Sequence, residues 1–155
     1  MLTELRDHHA ALTRLLDAHR NLCDATPIDY QALRHVRWQV AHVSRKRLAF
    51  LADTIFPFAE AHGHVKAAAG LLALRDDAPI YGQILSAFIA RWSMEAVAAD
   101  TIGYASASLA YRRDVDKRLF AEERHLRLLL TEVEWLSAGV FPLSADRMAA
   151  AATAF

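Results

Sequence analysis

The stretch YASASLAYRRDVDKRLFAEERHLRLLLTEVEWL, Tyr104–Leu136, decides the fold class. Its apolar residues recur at helical spacing rather than alternating, so it reads as one long helix that Gly139 and Pro142 bring to an end, with Ser93 or Thr101 as the expected cap at its start. Projected at about 100° per residue, the inward stripe runs Tyr104, Ala107, Tyr111, Val115, Arg118, Glu122, His125, Leu129 and Leu136, with Asp114 at its edge. A cation, a carboxylate and an imidazole therefore share a face that has to be buried.

Working back towards the N-terminus, a second helical pattern runs from Tyr30 to about His62, with Val36, Val40, Val43, Phe50, Leu51, Ile55 and Phe58 on one face and Arg47 at the centre of the stripe. Pro57 should kink this helix near its end, since proline lacks the N–H and crowds the preceding turn. His35 and His42 project to the opposite, solvated side. A first helix from about Thr3 to Cys23 carries Leu2, Leu5, Leu12 and Leu16 with His9 central among them and His8 pointing sideways, and Asp24–Asp29 with Pro27 breaks it. Lys66–Leu74 should form a short helix, Arg75–Asp77 a loop, and Pro79 the opening of a further helix through Ile80, Ile84, Phe88 and Trp92. The expected fold is an all-α four-helix up-down bundle over 1–137, followed by an Ala-rich extension over 138–155 in which Ser144 could cap a short C-terminal helix.

Composition agrees with helix. Of 155 residues 54% are hydrophobic, with five Gly and four Pro, and a chain of this length can bury roughly two-thirds of its unfolded surface without a disulfide or metal. The 18 basic and 18 acidic side chains cancel, so no net field draws the chain to nucleic acid or an anionic membrane. Cys23 has no internal cysteine to pair with, and MLTELRDHH lacks the apolar stretch of a signal peptide, so the expected location is the cytoplasm. No run of about 18 apolar residues suggests a membrane span.

Unpaired charge in a helical core costs several kcal/mol, so Arg47 and Arg118 must meet partners, and Glu122, Asp114 and water are the candidates. Arg118 and Glu122 are also a turn apart on one helix and can pair locally. Three readings stay open for the cluster His9, Arg47, Asp114, Arg118, Glu122 and His125. It can be a satisfied network that only fixes helix register, a pocket holding a small anionic ligand between two guanidinium forks, or a metal site in which His9, Glu122 and His125 hold iron or zinc.

These positions also carry a family likeness. HAALTRLL at His9–Leu16, RLAFLADTIFP at Arg47–Pro57 and RLFAEERHL at Arg118–Leu126 resemble the first-, second- and fourth-helix motifs of the hemerythrin-like (HHE) domain family, and Trp92–Tyr104 is similar to the segment joining the third and fourth helices there. The resemblance implies a diiron four-helix bundle. Carried over residue by residue, His9 and Glu122 match ligand positions, but Arg47 and Arg118 stand where the family has histidines, Leu51 stands where it has a glutamate, and no His lies between Pro79 and Trp92. Guanidiniums cannot deprotonate, so they oppose cations in that volume.

The function expected from this is a degenerate hemerythrin-like module, non-enzymatic, without a cofactor, that regulates, senses or binds. Its partner would be a protein, a second copy of itself or a small anionic ligand, and Phe141, Met148 and Phe155 in the tail offer apolar surface for an interface. The alternative is a member that still binds iron or zinc for oxygen or iron sensing or storage, and a weaker third is an enzyme using His9 or His125 as a base beside Glu122. A second Glu-x-x-His motif, as di-iron carboxylate bundles need, is missing, as are phosphate loops, a nucleophile elbow, paired cysteines and His-Glu-x-x-His. Trp38, Trp92 and Trp135 are read as packing residues rather than a base-stacking surface.

Overall fold

A computed structural model describes residues 1–138; the C-terminal extension, with Gly139, Phe141, Pro142, Ser144, Met148 and Phe155, lies outside the described residues. The fold is all-α, with no strand among the described residues. In chain order the elements are α1 (Leu2–Asp24), α2 (Tyr30–Phe50), a π-helical turn (Leu51–Ile55), α3 (Phe56–Ala61), α4 (Ala68–Asp76), α5 (Ala78–Arg91), α6 (Met94–Ala99) and α7 (Thr101–Ser137). No helix of the described residues is long and apolar enough to cross a membrane.

The polar starts of the helices are read locally. Asp29 caps α2, its carboxylate accepting from the N–H groups of Gln31 (3.0 Å) and Ala32 (2.9 Å). Ser93 caps the short α6, its hydroxyl accepting from Ala96 N–H at 3.2 Å. It is Asp100, not Ser93 or Thr101, that caps α7, accepting from Gly103 N–H at 2.8 Å, while the Thr101 hydroxyl donates back to the Val97 carbonyl.

The second helix meets Pro57 differently from a simple kink. Before the proline the chain widens into the π turn, and Phe56 N–H bonds the Leu51 carbonyl five residues back. The inserted residue shifts the helical face. Leu51, Ile55, Phe56 and Ala59 are buried, whereas Phe58, expected inward, is half-buried. Arg75 and Asp76, expected in a loop, finish α4 instead and leave only Asp77 before α5, with Arg75 paired to Glu60 and Asp76.

Packing centres on α1, which lies against α2 and α7, while α3 packs on α4 and α4 on α7. The buried residues fall into three apolar groups. One gathers Leu5, Leu51, Ile55, Phe56, Ala59, Leu71, Leu126 and Leu129, a second Leu12, Leu16, Val115 and Leu119, and a third Leu33, Trp92, Val97 and Tyr104. Along α1, His9 separates the first group from the second, and along α7 Glu122 does the same. A polar layer thus crosses the middle of the core.

Helix α5 departs from expectation. It buries no residue, and Ile80 and Ile84 of its anticipated stripe are 55% and 48% exposed; only Trp92, just past its end, is fully in the core. Of the other tryptophans, Trp135 is half-exposed, and Trp38 lies on the outside, stacked between His35 and His42, which face solvent as anticipated. Trp38 is therefore spent on a surface, whereas Phe50 at the end of α2 packs against the first core group.

Candidate functional site

The polar layer is built around one carboxylate. Glu122 of α7 is wholly buried, and its neighbours His9 from α1, Arg47 from α2 and Arg118 one turn earlier on α7 are all buried as well. Arg47 Nη1 donates to both carboxylate oxygens at 2.6 Å, Arg118 Nε donates to Oε1 at 3.1 Å, and His9 Nε2 donates to Oε2 at 3.0 Å. Since an ionised carboxylate only accepts, the His9 tautomer carries its hydrogen on Nε2. Each oxygen receives two donors, which uses the roughly four lone-pair sites a carboxylate has.

The cations are held from behind. Arg118 also donates through Nη2 to the Leu74 carbonyl, and its guanidinium lies 4.8 Å above the Tyr81 ring. Burial by itself would raise the Glu122 carboxyl, but the hydrogen bond from His9 and the charge and hydrogen bonds of Arg47 outweigh it and hold the group below its ordinary value of 4.5. A depressed folded value means that this contribution to stability is full above the unfolded carboxyl's range and is lost as pH falls through the lower folded value. Arg47 Nε is buried without a hydrogen-bond partner among the described residues.

Two expected members stand apart. Asp114, placed at the edge of the buried stripe, is exposed and pairs with Lys117 at 3.2 Å, because its position falls a quarter-turn towards solvent. His125, expected inward with Glu122, is only partly buried and packs against α4, where an added Cβ on Gly70 would lie 2.2 Å from its Nδ1. Burial, with Arg124 nearby, lowers its pKa. Consequently His9, Glu122 and His125 do not converge, and no group of three His, Cys, Asp or Glu side chains among the described residues is arranged to hold a metal ion.

The packing of His125 on Gly70 has a measurable consequence. Gly70→Ala gains about 1 kcal/mol of helix propensity but forces the imidazole aside, an overpacking that costs about 1–3 kcal/mol, so a net loss near 1 kcal/mol is expected in urea unfolding. Adding His125→Ala should turn that loss into a gain.

Space for a ligand lies elsewhere. Beside the two guanidiniums the cavity is about 20 Å³, walled by Leu12, Ser44, Tyr81 and Tyr111 among others. That is on the order of a single water, whereas small-molecule pockets run from about 300 to 1,000 Å³. A second cavity of about 680 Å³ opens between α1, α2, α5 and α7, bordered by the third core group. At its wall Tyr104 Oη lies 2.6 Å from His19 Nε2, and Cys23 Sγ is 3.9 Å from the other ring nitrogen. Burial raises both the Tyr104 hydroxyl and the Cys23 thiol, to about 11 for the thiol, and burial with the Arg37 charge lowers His19 to about 4, so all three are neutral near pH 7.

Sequence reasoning did not single out His19, Arg37 or Ser44. His19 follows Leu16 by three residues and so extends the buried stripe of α1, a signal that was legible; Arg37 and Ser44 gave none, since their burial depends on which helices cover α2. No family profile, curated protein or solved structure matches the chain.

Proposed function

We propose that this chain is a degenerate hemerythrin-like domain, a four-helix up-down bundle of α1, α2, α5 and α7 whose metal centre has been replaced by an Arg/Glu/His clamp, and that it serves in the cytoplasm as a non-enzymatic regulatory, sensory or partner-binding module. The observation that carries this reading is the saturated Glu122 carboxylate: its two oxygens take four hydrogen bonds, three from permanently cationic side chains. To ligate a metal, Glu122 would first have to shed Arg47 and Arg118, and both would be left buried without a counter-charge. Catalysis finds no support in the cluster either. His9 and Glu122 are 8% and 0% exposed, so neither can reach a substrate proton.

The clamp also accounts for the retained frame. It joins α1, α2 and α7 at one level and binds the Leu74 carbonyl of α4 through Arg118, so each helix is fixed in rotation and height. Anaerobic reconstitution with ferrous iron, followed by elemental analysis, should leave well under one iron per chain. Stoichiometric iron with an oxo-bridge absorption band would overturn the reading in favour of an iron-binding sensor or store.

A further inference from the structure

We propose that the cavity between α1, α2, α5 and α7 is a binding site for a long-chain monocarboxylate, with its acyl chain along the apolar wall and its head group on Arg37. This rests on the binding-module reading above. The cavity, about 680 Å³, falls in the range of small-molecule sites, and its walls are mostly apolar. Three large apolar side chains on its border, Trp38, Ile89 and Leu109, are 61%, 46% and 40% exposed, so an apolar occupant would cover surface that the fold leaves open.

Charge selects the head group. Among the arginines at the wall, Arg34 is exposed to solvent with its charge acting on Glu95, Arg20 lies 3.5 Å from Asp24, and Arg112 lies 2.7 Å from Asp17 and 3.5 Å from Asp116. Arg37 has no carboxylate partner among the described residues. Its donors go to the Trp92 carbonyl and, at 3.3 Å, the Met94 sulfur, and its guanidinium stands 5.4 Å from the Tyr104 ring centre. One half-buried cation held by dipoles alone asks for one anion, and with two nitrogens already engaged it suits a singly charged head better than a phosphate. Arg112 Nη1, buried and without a partner, adds a second donor from a residue on the same wall.

The rings argue for a flexible chain rather than a planar body. Phe88 stacks on Tyr111 at 5.0 Å, and Trp92 meets Tyr104 edge-on at 5.4 Å, so these faces are already spent on one another.

Titration calorimetry at about pH 7.5 with dodecanoate, dodecanol and 2-naphthoate tests the assignment. Dodecanoate should bind one per chain, about tenfold tighter than dodecanol and tighter than 2-naphthoate. Arg37→Gln should reduce the preference for acid over alcohol to below about threefold while dodecanol binding persists, and Arg37→Lys should keep it, which separates lost charge from lost folding. Ala105→Trp, which fills the cavity, should weaken both ligands about tenfold or more. Absence of dodecanoate binding, equal affinity for acid and alcohol, a preference that survives Arg37→Gln, or tighter binding of the naphthoate would each overturn the proposal. A protein that takes up stoichiometric iron yet still binds dodecanoate through Arg37 would lose the clamp reading alone.

Discussion

Glu122→Ala is expected to cost about 3–5 kcal/mol of unfolding free energy at neutral pH. The loss is not that of one favourable ion pair. Two desolvated charges attracting each other roughly repay their own burial, so the intact layer adds little net stability; removing the carboxylate leaves Arg47 and Arg118, 6% and 4% exposed, with nothing to balance them. Glu122→Gln should fall short of the full loss, since the amide keeps one acceptor but turns an N–H₂ towards the guanidiniums. Replacing all four members together, with His9→Leu, Arg47→Met, Arg118→Met and Glu122→Leu, should bring stability back to within about 1 kcal/mol of the parent or above it. Urea unfolding followed by circular dichroism measures all three. A cost below about 1 kcal/mol for Glu122→Ala would mean that the arginines swing out to water, and the polar layer would then not be a clamp.

The same layer shows which parts of the molecule were legible in the sequence. His9, Arg47, Arg118 and Glu122 were found by helical projection because each sits on the apolar stripe of its own helix, and local periodicity is enough for that: His9 between the buried Leu5 and Leu12, Glu122 between the buried Leu119 and Leu126. His125 and Asp114 failed for a different reason. A wheel assigns one inward direction to a whole helix, but α7 runs for 37 residues past several neighbours, and what covers it changes along its length. At His125 the cover is the bare Cα of Gly70 on α4, which admits the ring on the flank of the helix; at Asp114 nothing covers it.

Other features lay beyond any pattern. Pro57 announced a break, but whether the chain answers with a kink or with a π turn depends on which residues must end up inward, and the widened turn brings Phe56 round to the buried side that Arg47 and Leu51 occupy. The stripe of α5 was read correctly as apolar and helical, yet apolar residues are buried only where a neighbouring helix closes over them. Ile80 and Ile84 remain exposed for want of one, and the same stand-off opens the large cavity. Arg37 acquires meaning only there, since its surroundings come from Trp92, Met94 and Tyr104, each more than fifty residues away in sequence.

Between about pH 6.5 and pH 4 the protein is expected to lose about 3 kcal/mol of stability through a single residue, His19. Burial first, and the Arg37 charge second, pull its pKa from 6.5 down to about 4. Above about pH 6.5 the imidazole is neutral in both folded and unfolded chains and the term is flat. Below that, the unfolded chain takes up a proton that the folded chain refuses, so folding loses ground with each step of acidification until the folded value is passed near pH 4, where the term levels off. His19→Gln removes the titration while leaving an amide that can still meet the Tyr104 hydroxyl. Urea unfolding at a series of pH values should therefore give a parent curve that falls away from the variant's by about 3 kcal/mol across this window, a difference from which the exposed histidines and Glu122 cancel because both proteins share them. Parallel curves would mean that His19 takes up its proton in the folded state, with water reaching it through the cavity beside Arg37.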